Sequence, residues 1–238
     1  MTQTYKDRLA VALDLPDIQQ ALNLVDRLSG TCQWFKVGME LYYASGNHFV
    51  HELRNRGFNV FLDLKLHDIP NTVAAAVRST TQAGASLLTV HASGGTAMLA
   101  AAAEAATAPD APKLLAVTVL TSMDANELTA VGVSGTPAHQ VLRLAKLAQA
   151  AGIDGLVCSS EETAMLRKEL GLKATLVVPG IRPAGSAVGD QRRVATAAEA
   201  IARGASMLVV GRPITRATDP AAAAQAILDE IAQASPGT

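Results

Sequence analysis

The residues best suited to chemistry lie in one short stretch, from Asp63 to Asp68. The sequence Asp-Leu-Lys-Leu-His-Asp places four ionisable side chains in six positions, directly after an apolar run. Residues two apart face the same side of an extended strand, so we expect Asp63 and Lys65 to lie together. Buried charges are costly unless they are paired. The spacing therefore predicts an ion pair whose ammonium could stabilise developing negative charge and deliver a proton.

Two further charged residues accompany other apolar runs. Asp14 follows the first run, and Lys36 lies within the second. If these runs are parallel strands of one barrel, both side chains face the same mouth as Asp63 and Lys65. A purely structural ion pair is the alternative interpretation, and the accumulation of alternating charges favours a functional network over it.

An anion site is predicted near the end of the chain. Gly180 and Arg182 follow the seventh apolar run, and Gly211 and Arg212 follow the eighth. The loops after strands seven and eight are the common phosphate site of (β/α)8 barrels. Glycine lets backbone amides approach a phosphate, and arginine forms charge-assisted bonds with its oxygens. The stretch 184–193 is predicted to be a loop that closes over a ligand, or else a plain surface connection.

The elements that position these residues alternate between short apolar runs and longer helical patterns. The predicted strands are 8–13, 34–37, 60–64, 86–91, 114–120, 155–157, 175–178 and 207–210. The predicted helices are 18–28, 71–83, 97–106, 139–150, 161–169 and 220–231. Glycines at 84, 152 and 204 are expected to end helices in a left-handed turn. Eight such units predict an α/β fold, a (β/α)8 TIM barrel that forms a single domain over residues 1–238.

Composition limits the possible partners. The formal net charge is −1, so no overall field directs the chain to nucleic acid or an anionic membrane. Cys32 and Cys158 lack metal-ligand spacing and are expected to be free and buried. The first residues carry no apolar signal segment, and no apolar run reaches the roughly 18 residues of a membrane helix. These features predict a cytoplasmic enzyme with a small-molecule substrate.

These motifs together resemble the orotidine 5′-monophosphate decarboxylase family over nearly the whole chain. The stretch from Asp63 through Asp68-Ile-Pro-Asn-Thr72 is the most specific of them. The other matching segments follow in the family's order at 11–14, 36–40, 117–122, 179–183 and 209–215. The resemblance implies conversion of orotidine 5′-monophosphate (OMP) to UMP and CO2 in pyrimidine biosynthesis, without metal or cofactor.

The resemblance also implies a role for each matching residue. Lys65 would protonate C6 of the pyrimidine within a catalytic group that also includes Lys36, Asp63 and Asp68. The substrate-binding residues would be Asp14, Lys36, Asp63, Thr72, Thr121, Arg182, Gln191, Gly211 and Arg212. The family is dimeric, so Asp68 and Thr72 are expected to reach the partner's site.

Two other functions remain as alternatives. A magnesium-dependent sugar-phosphate decarboxylase or aldolase of the same suprafamily resembles this chain in its Asp-x-Lys-x-x-Asp motif. Those relatives carry an acidic residue in place of Lys36, and a lysine there would repel a divalent cation. A non-catalytic nucleotide-binding barrel is the second alternative, and it would be expected to lack one of the charges. His67, which lies inside the same motif, is expected to be structural.

Overall fold

Eight parallel strands form a closed barrel in the order β1 to β8. The structure is a computed structural model that describes residues 4–183 and 194–235. Ala10 of the first strand lies opposite Trp34 of the second and Val209 of the eighth, which closes the sheet. The strands are β1 (Leu9–Ala12), β2 (Trp34–Gly38), β3 (Asn59–Leu66), β4 (Leu87–His91), β5 (Lys113–Val117), β6 (Gly155–Val157), β7 (Thr175–Val178) and β8 (Met207–Val210). The predicted (β/α)8 barrel is confirmed.

Helices follow the strands and surround the barrel. Over the described ranges the α-helices are α1 (Ile18–Leu28), α2 (Met39–Ser45), α3 (Asn47–Asn55), α4 (Pro70–Gln82), α5 (Gly95–Ala105), α6 (Ala125–Ala130), α7 (Pro137–Ala150), α8 (Ser160–Leu170), α9 (Ala197–Ala202), α10 (Arg212–Thr215) and α11 (Pro220–Ala234). The six predicted helices are all present. The sequence pattern did not predict the remaining helices, most of which are shorter than the predicted ones: α2, α3, α6, α9 and α10. Among the helices of the described ranges, none is both long and apolar enough to span a membrane.

Local sequence explains where several helices begin and end. Helix α1 begins after Asp17, whose side chain accepts a hydrogen bond from the Gln20 amide, and this satisfies one of the unpaired amides of the first turn. At the predicted helix-to-strand joints, Gly84, Gly152 and Gly204 have φ values of 81°, 87° and 98°. Side chains disfavour this left-handed conformation, so glycine allows the chain to turn directly into the next strand.

The barrel has two apolar cores. The larger one lies between the strands and the surrounding helices. The smaller one fills the barrel interior, and we call it the apolar floor: Ala10, Ala12, Phe61, Leu87, Leu115, Val177, Met207 and Val209. Because both faces of each strand are covered, β1 and β8 are buried along their whole length. The floor therefore packs the interior below the upper end of the barrel.

Candidate active site

Four residues whose charges alternate in sign lie in a row at the mouth of the barrel. Lys36 Nζ lies 2.9 Å from Asp14 Oδ1 and 3.5 Å from Asp63 Oδ2. Lys65 Nζ lies 2.8 Å from Asp63 Oδ1. We call Asp14, Lys36, Asp63 and Lys65 the charged row. The predicted pairing of Asp63 with Lys65 is confirmed, and the row joins residues from β2, β3 and the loop after β1.

Burial increases from the edge of the charged row to its centre. The side chain of Asp14 is 61% exposed, whereas those of Lys36 and Asp63 are 10% and 14% exposed. Burial by itself raises the pKa of Asp63, but Lys36, Lys65 and the hydrogen bonds from Lys65 and Thr89 outweigh it and lower that pKa. Asp63 is therefore a carboxylate held between two ammonium groups at neutral pH.

The strand that carries Lys65 is irregular at that point. Between Leu62 and Leu66, β3 has four residue steps where β4 has only two, from Leu88 to Val90. Lys65 has φ of 52°, and it is the one non-glycine residue of the described ranges with positive φ. Simple alternation predicted the Asp63–Lys65 pair, but the strand between them bulges, so the contact arises from a less regular backbone than the sequence indicated.

Thr89 is a polar residue of the site that the sequence pattern did not predict. It is completely buried on β4, and its hydroxyl accepts a hydrogen bond from the Lys65 amide at 2.8 Å. The same hydroxyl donates to Asp63 Oδ1 at 3.0 Å. Thr89 lies two residues from Leu87 of the apolar floor, so strand alternation would have placed it inside the barrel.

The charged row lines a cavity of about 410 Å³ above the apolar floor. Ala12, Phe61 and Val209 of the floor line its lower part, together with Val117 and Val157. Of the predicted site residues, the cavity brings together Asp14, Lys36, Asp63, Lys65, Thr121, Arg182, Gly211 and Arg212. An apolar base with charged groups on several sides suits a flat organic ring that carries anionic substituents.

Two predicted residues, Asp68 and Thr72, do not line this cavity. Both are exposed at the start of α4, and Asp68 Oδ1 accepts a hydrogen bond from the Ile69 amide at 2.6 Å. Ile69 itself is 67% exposed, which is unusual for an isoleucine. Within one subunit, Asp68 is therefore not part of the charged row. Gln191 and the predicted closing loop 184–193 lie outside the described residues.

Two histidines stand beside the charged row at the barrel rim. The rings of His67 and His91 are 5.4 Å apart, and His67 is exposed. Burial, with further contributions from His67 and Lys65, lowers the pKa of His91, and Asp63 partly opposes this. Neither histidine lines the cavity.

Comparisons with known proteins show the family of this chain. Residues 7–227 match the family described as Orotidine 5′-phosphate decarboxylase / HUMPS family. An orotidine 5′-phosphate decarboxylase of Halorhodospira halophila is 54% identical over 228 residues, which is 95% of this chain and 97% of that protein. One of Afipia carboxidovorans is also 54% identical, over 98% of this chain and 100% of that protein.

The solved structures show the same relation in three dimensions. The crystal structure of orotidine 5′-phosphate decarboxylase from Lactobacillus acidophilus has a TM-score of 0.84 and 40% identity, over 94% of this chain and 98% of that one. The fold and the charged barrel mouth define a (β/α)8-barrel enzyme. The chain belongs to the orotidine 5′-phosphate decarboxylase / HUMPS family.

Proposed function

We propose that this chain, as a single catalytic domain, decarboxylates OMP to UMP and CO2 in pyrimidine biosynthesis, with Lys65 as the proton donor and no cofactor. The bond between C6 of the pyrimidine and its carboxylate breaks, and the electron pair stays on C6. Lys65 Nζ then gives a proton to C6 and becomes a neutral amine. The observation that carries this proposal is the Lys65 ammonium, held 2.8 Å from the Asp63 carboxylate in a cavity with an apolar base.

The charged row accounts for the electrostatic part of this reaction. Negative charge develops at C6 in the transition state, and an ammonium already in place stabilises it without reorganisation of solvent. Asp63 holds Lys65 from one side, and Lys36 stabilises Asp63 from the other. The Asp63 carboxylate also disfavours a substrate carboxylate nearby, and this repulsion is relieved as CO2 leaves.

The remaining cavity residues would bind the nucleotide. We assign Asp14 to the ribose, Thr121 to the pyrimidine, and Arg182, Gly211 and Arg212 to the phosphate. Gln191, outside the described residues, is assigned to the phosphate as well. In support, arginine forms bidentate bonds with phosphate oxygens, and Arg182 and Arg212 both line the cavity. Binding energy from the phosphate would then position the ring over Lys65.

Lys36 argues against the magnesium-dependent alternative. Its ammonium lies between the carboxylates of Asp14 and Asp63, at 2.9 Å and 3.5 Å, where it would repel a divalent cation. The non-catalytic alternative predicts the loss of a charge, whereas Asp14, Lys36, Asp63 and Lys65 are all in contact. The curated relatives at 54% identity are decarboxylases by name.

The test is the fall in ultraviolet absorbance when chelator-treated protein is added to OMP. We expect turnover by the wild type and a loss of more than about 10³-fold in Lys65→Ala, because both the proton and the stabilising charge are removed. Lys113→Ala is the matched control, since Lys113 is exposed at the other end of the barrel. Absence of wild-type turnover on OMP, with activity on a sugar phosphate after magnesium is added, would overturn the proposal.

We further propose that the enzyme is a homodimer in which Asp68 and Thr72 complete the partner's site. Their exposure outside the cavity of their own subunit, next to the exposed Ile69, supports this arrangement. The two free, buried cysteines agree with a reducing compartment, so we place the enzyme in the cytoplasm.

Mixing two inactive variants tests the shared site. A dimer of one Lys65→Ala subunit and one Asp68→Ala subunit has one doubly altered site and one intact site if Asp68 acts across the interface. Random exchange of subunits should then restore about a quarter of the wild-type activity. If Asp68 acts within its own subunit, each site of the mixed dimer keeps one defect, and the mixture stays as inactive as its components.

A further inference from the structure

Thr89 contacts two members of the charged row through one hydroxyl group. The hydroxyl accepts from the Lys65 amide at 2.8 Å and donates to Asp63 Oδ1 at 3.0 Å. Asp63 Oδ1 also accepts from Lys65 Nζ at 2.8 Å. Thr89 therefore contacts the backbone of Lys65 directly, and it contacts the Lys65 ammonium through Asp63.

The bulge of β3 explains why a side chain is needed here. The β3–β4 ladder is interrupted between Leu62 and Leu66, so the Lys65 amide has no backbone carbonyl of β4 opposite it in regular register. Lys65 also adopts a left-handed conformation, which lysine does not favour and which must be held by its surroundings. Thr89 satisfies the amide, and its remaining proton then fixes the orientation of the Asp63 carboxylate.

We propose that Thr89 is a positioning residue for the decarboxylation, which holds the backbone at Lys65 and the carboxylate of Asp63 so that the ammonium is aimed at the reacting carbon. Thr89 does not line the cavity, so we assign it no direct contact with the substrate. It acts only through Lys65 and Asp63. This inference rests on the proposed function, because the positioned proton is the one delivered to C6.

Thr89 also affects the charge balance of the row. Lys36 on β2, Lys65 on β3 and His91 on β4 face Asp63, and Asp14 reaches it through Lys36. Burial raises the pKa of Asp63, and the two lysines and the Thr89 hydrogen bond lower it. Loss of the hydroxyl should therefore raise this pKa, so that Asp63 becomes protonated at a higher pH.

The experiment compares Thr89→Val with Thr89→Ser. Valine keeps the shape of threonine but lacks the hydroxyl, whereas serine keeps the hydroxyl. We expect kcat to fall roughly 10- to 100-fold in Thr89→Val with KM within about threefold, because positioning acts on the transition state. The acid limb of the kcat/KM profile should move to higher pH. Thr89→Ser should stay within about threefold of the wild type, with an unshifted acid limb.

Thr80→Val is the matched control for loss of a buried hydroxyl. Thr80 is 3% exposed in α4, and its hydroxyl donates to the Val77 carbonyl. This variant should lower stability but leave kcat and the pH profile unchanged. A Thr89→Val enzyme with wild-type kcat and an unshifted acid limb would overturn the inference. If Thr89→Val does not fold, Thr89→Ala provides the same comparison with Thr89→Ser.

A measurement without turnover separates this inference from the proposed function. The titration of the Asp63 carboxyl group can be followed by carbon NMR in the wild type, Thr89→Val and Thr89→Ser. We expect a higher pKa in Thr89→Val alone. If the wild type fails to decarboxylate OMP but this shift is present, the assignment of the reaction is wrong while the positioning of the charged row by Thr89 stands. Equal pKa values in all three proteins would refute the positioning itself.

Discussion

The apolar floor and the charged row occupy the same barrel interior, and neighbouring positions of the same strands build both. On β3, Phe61 belongs to the floor and Asp63 to the row; on β4, Leu87 belongs to the floor and Thr89 supports the row. One step of two residues along a strand therefore changes the interior from apolar packing to paired charges. The floor stabilises the barrel, and the row is placed where a ligand can reach it.

The difference between the two regions also concerns the regularity of the backbone. Beneath the row, the β3–β4 pairing is regular at Phe61 and Leu62, and it shifts only beyond Leu62. The positive φ of Lys65 occurs within that shifted part. Strain is thus concentrated at the site and supported by the regular sheet below it, as is common for functional positions.

The largest effect is expected on stability, from a substitution in the apolar floor. Leu87→Ala removes a side chain that is 4% exposed, and it should lower the free energy of unfolding by about 2–5 kcal/mol, because the cavity left behind adds to the lost burial. The measurement is urea denaturation, with Leu172→Ala, at a 91% exposed leucine, as the control. At 25 °C, kcat/KM should stay close to that of the wild type. A large loss of activity in a still-folded variant would show that floor and row are not separable.

A smaller effect is expected in the pH dependence of stability at the row. A carboxyl group with a lowered pKa in the folded state stabilises it above its ordinary pKa, which is 3.8 for aspartate, and this contribution is lost as the pH falls through the folded value. Wild-type stability should therefore fall below about pH 4 more steeply than that of Asp63→Asn.

Urea midpoints at several pH values between neutrality and pH 3 provide the measurement. Asp154→Asn is the control, because Asp154 is an exposed aspartate just before β6 at the opposite end of the barrel. Its curve should run parallel to that of the wild type. Parallel curves for Asp63→Asn as well would mean that the row does not contribute to stability at neutral pH.

Much of the architecture could be read from the pattern of residues. The bounds of β6, β7, β8 and α1 were predicted to the residue, because short apolar runs and a capped amphipathic helix are local signals. The prediction for β5 ran three residues too far, to 120, since Val119 and Leu120 are apolar but lie beyond the paired strand. Short helices such as α6 were missed because six residues carry too little periodicity.

The site was predictable to the extent that strand ends converge in a barrel. Asp14, Lys36, Asp63, Lys65 and Arg212 were expected at one mouth, and all line the same cavity. Asp68 was expected to act in the partner's site, and within its own subunit it lies outside the cavity. That expectation came from the family resemblance and not from spacing, and it stays a prediction; β3 ends at Leu66, before Asp68, and α4 begins at Pro70.

The closed barrel, the end at which charges collect and the pairing of Asp63 with Lys65 follow from the sequence pattern, because strand alternation and turn-forming glycines depend on local interactions. The bulge of β3, the left-handed conformation of Lys65 and the two hydrogen bonds of Thr89 follow only from tertiary packing. These features depend on how β3 packs against β4. Thr89 is 24 positions from Lys65 and 26 from Asp63 in the chain, and it meets them only when the barrel closes.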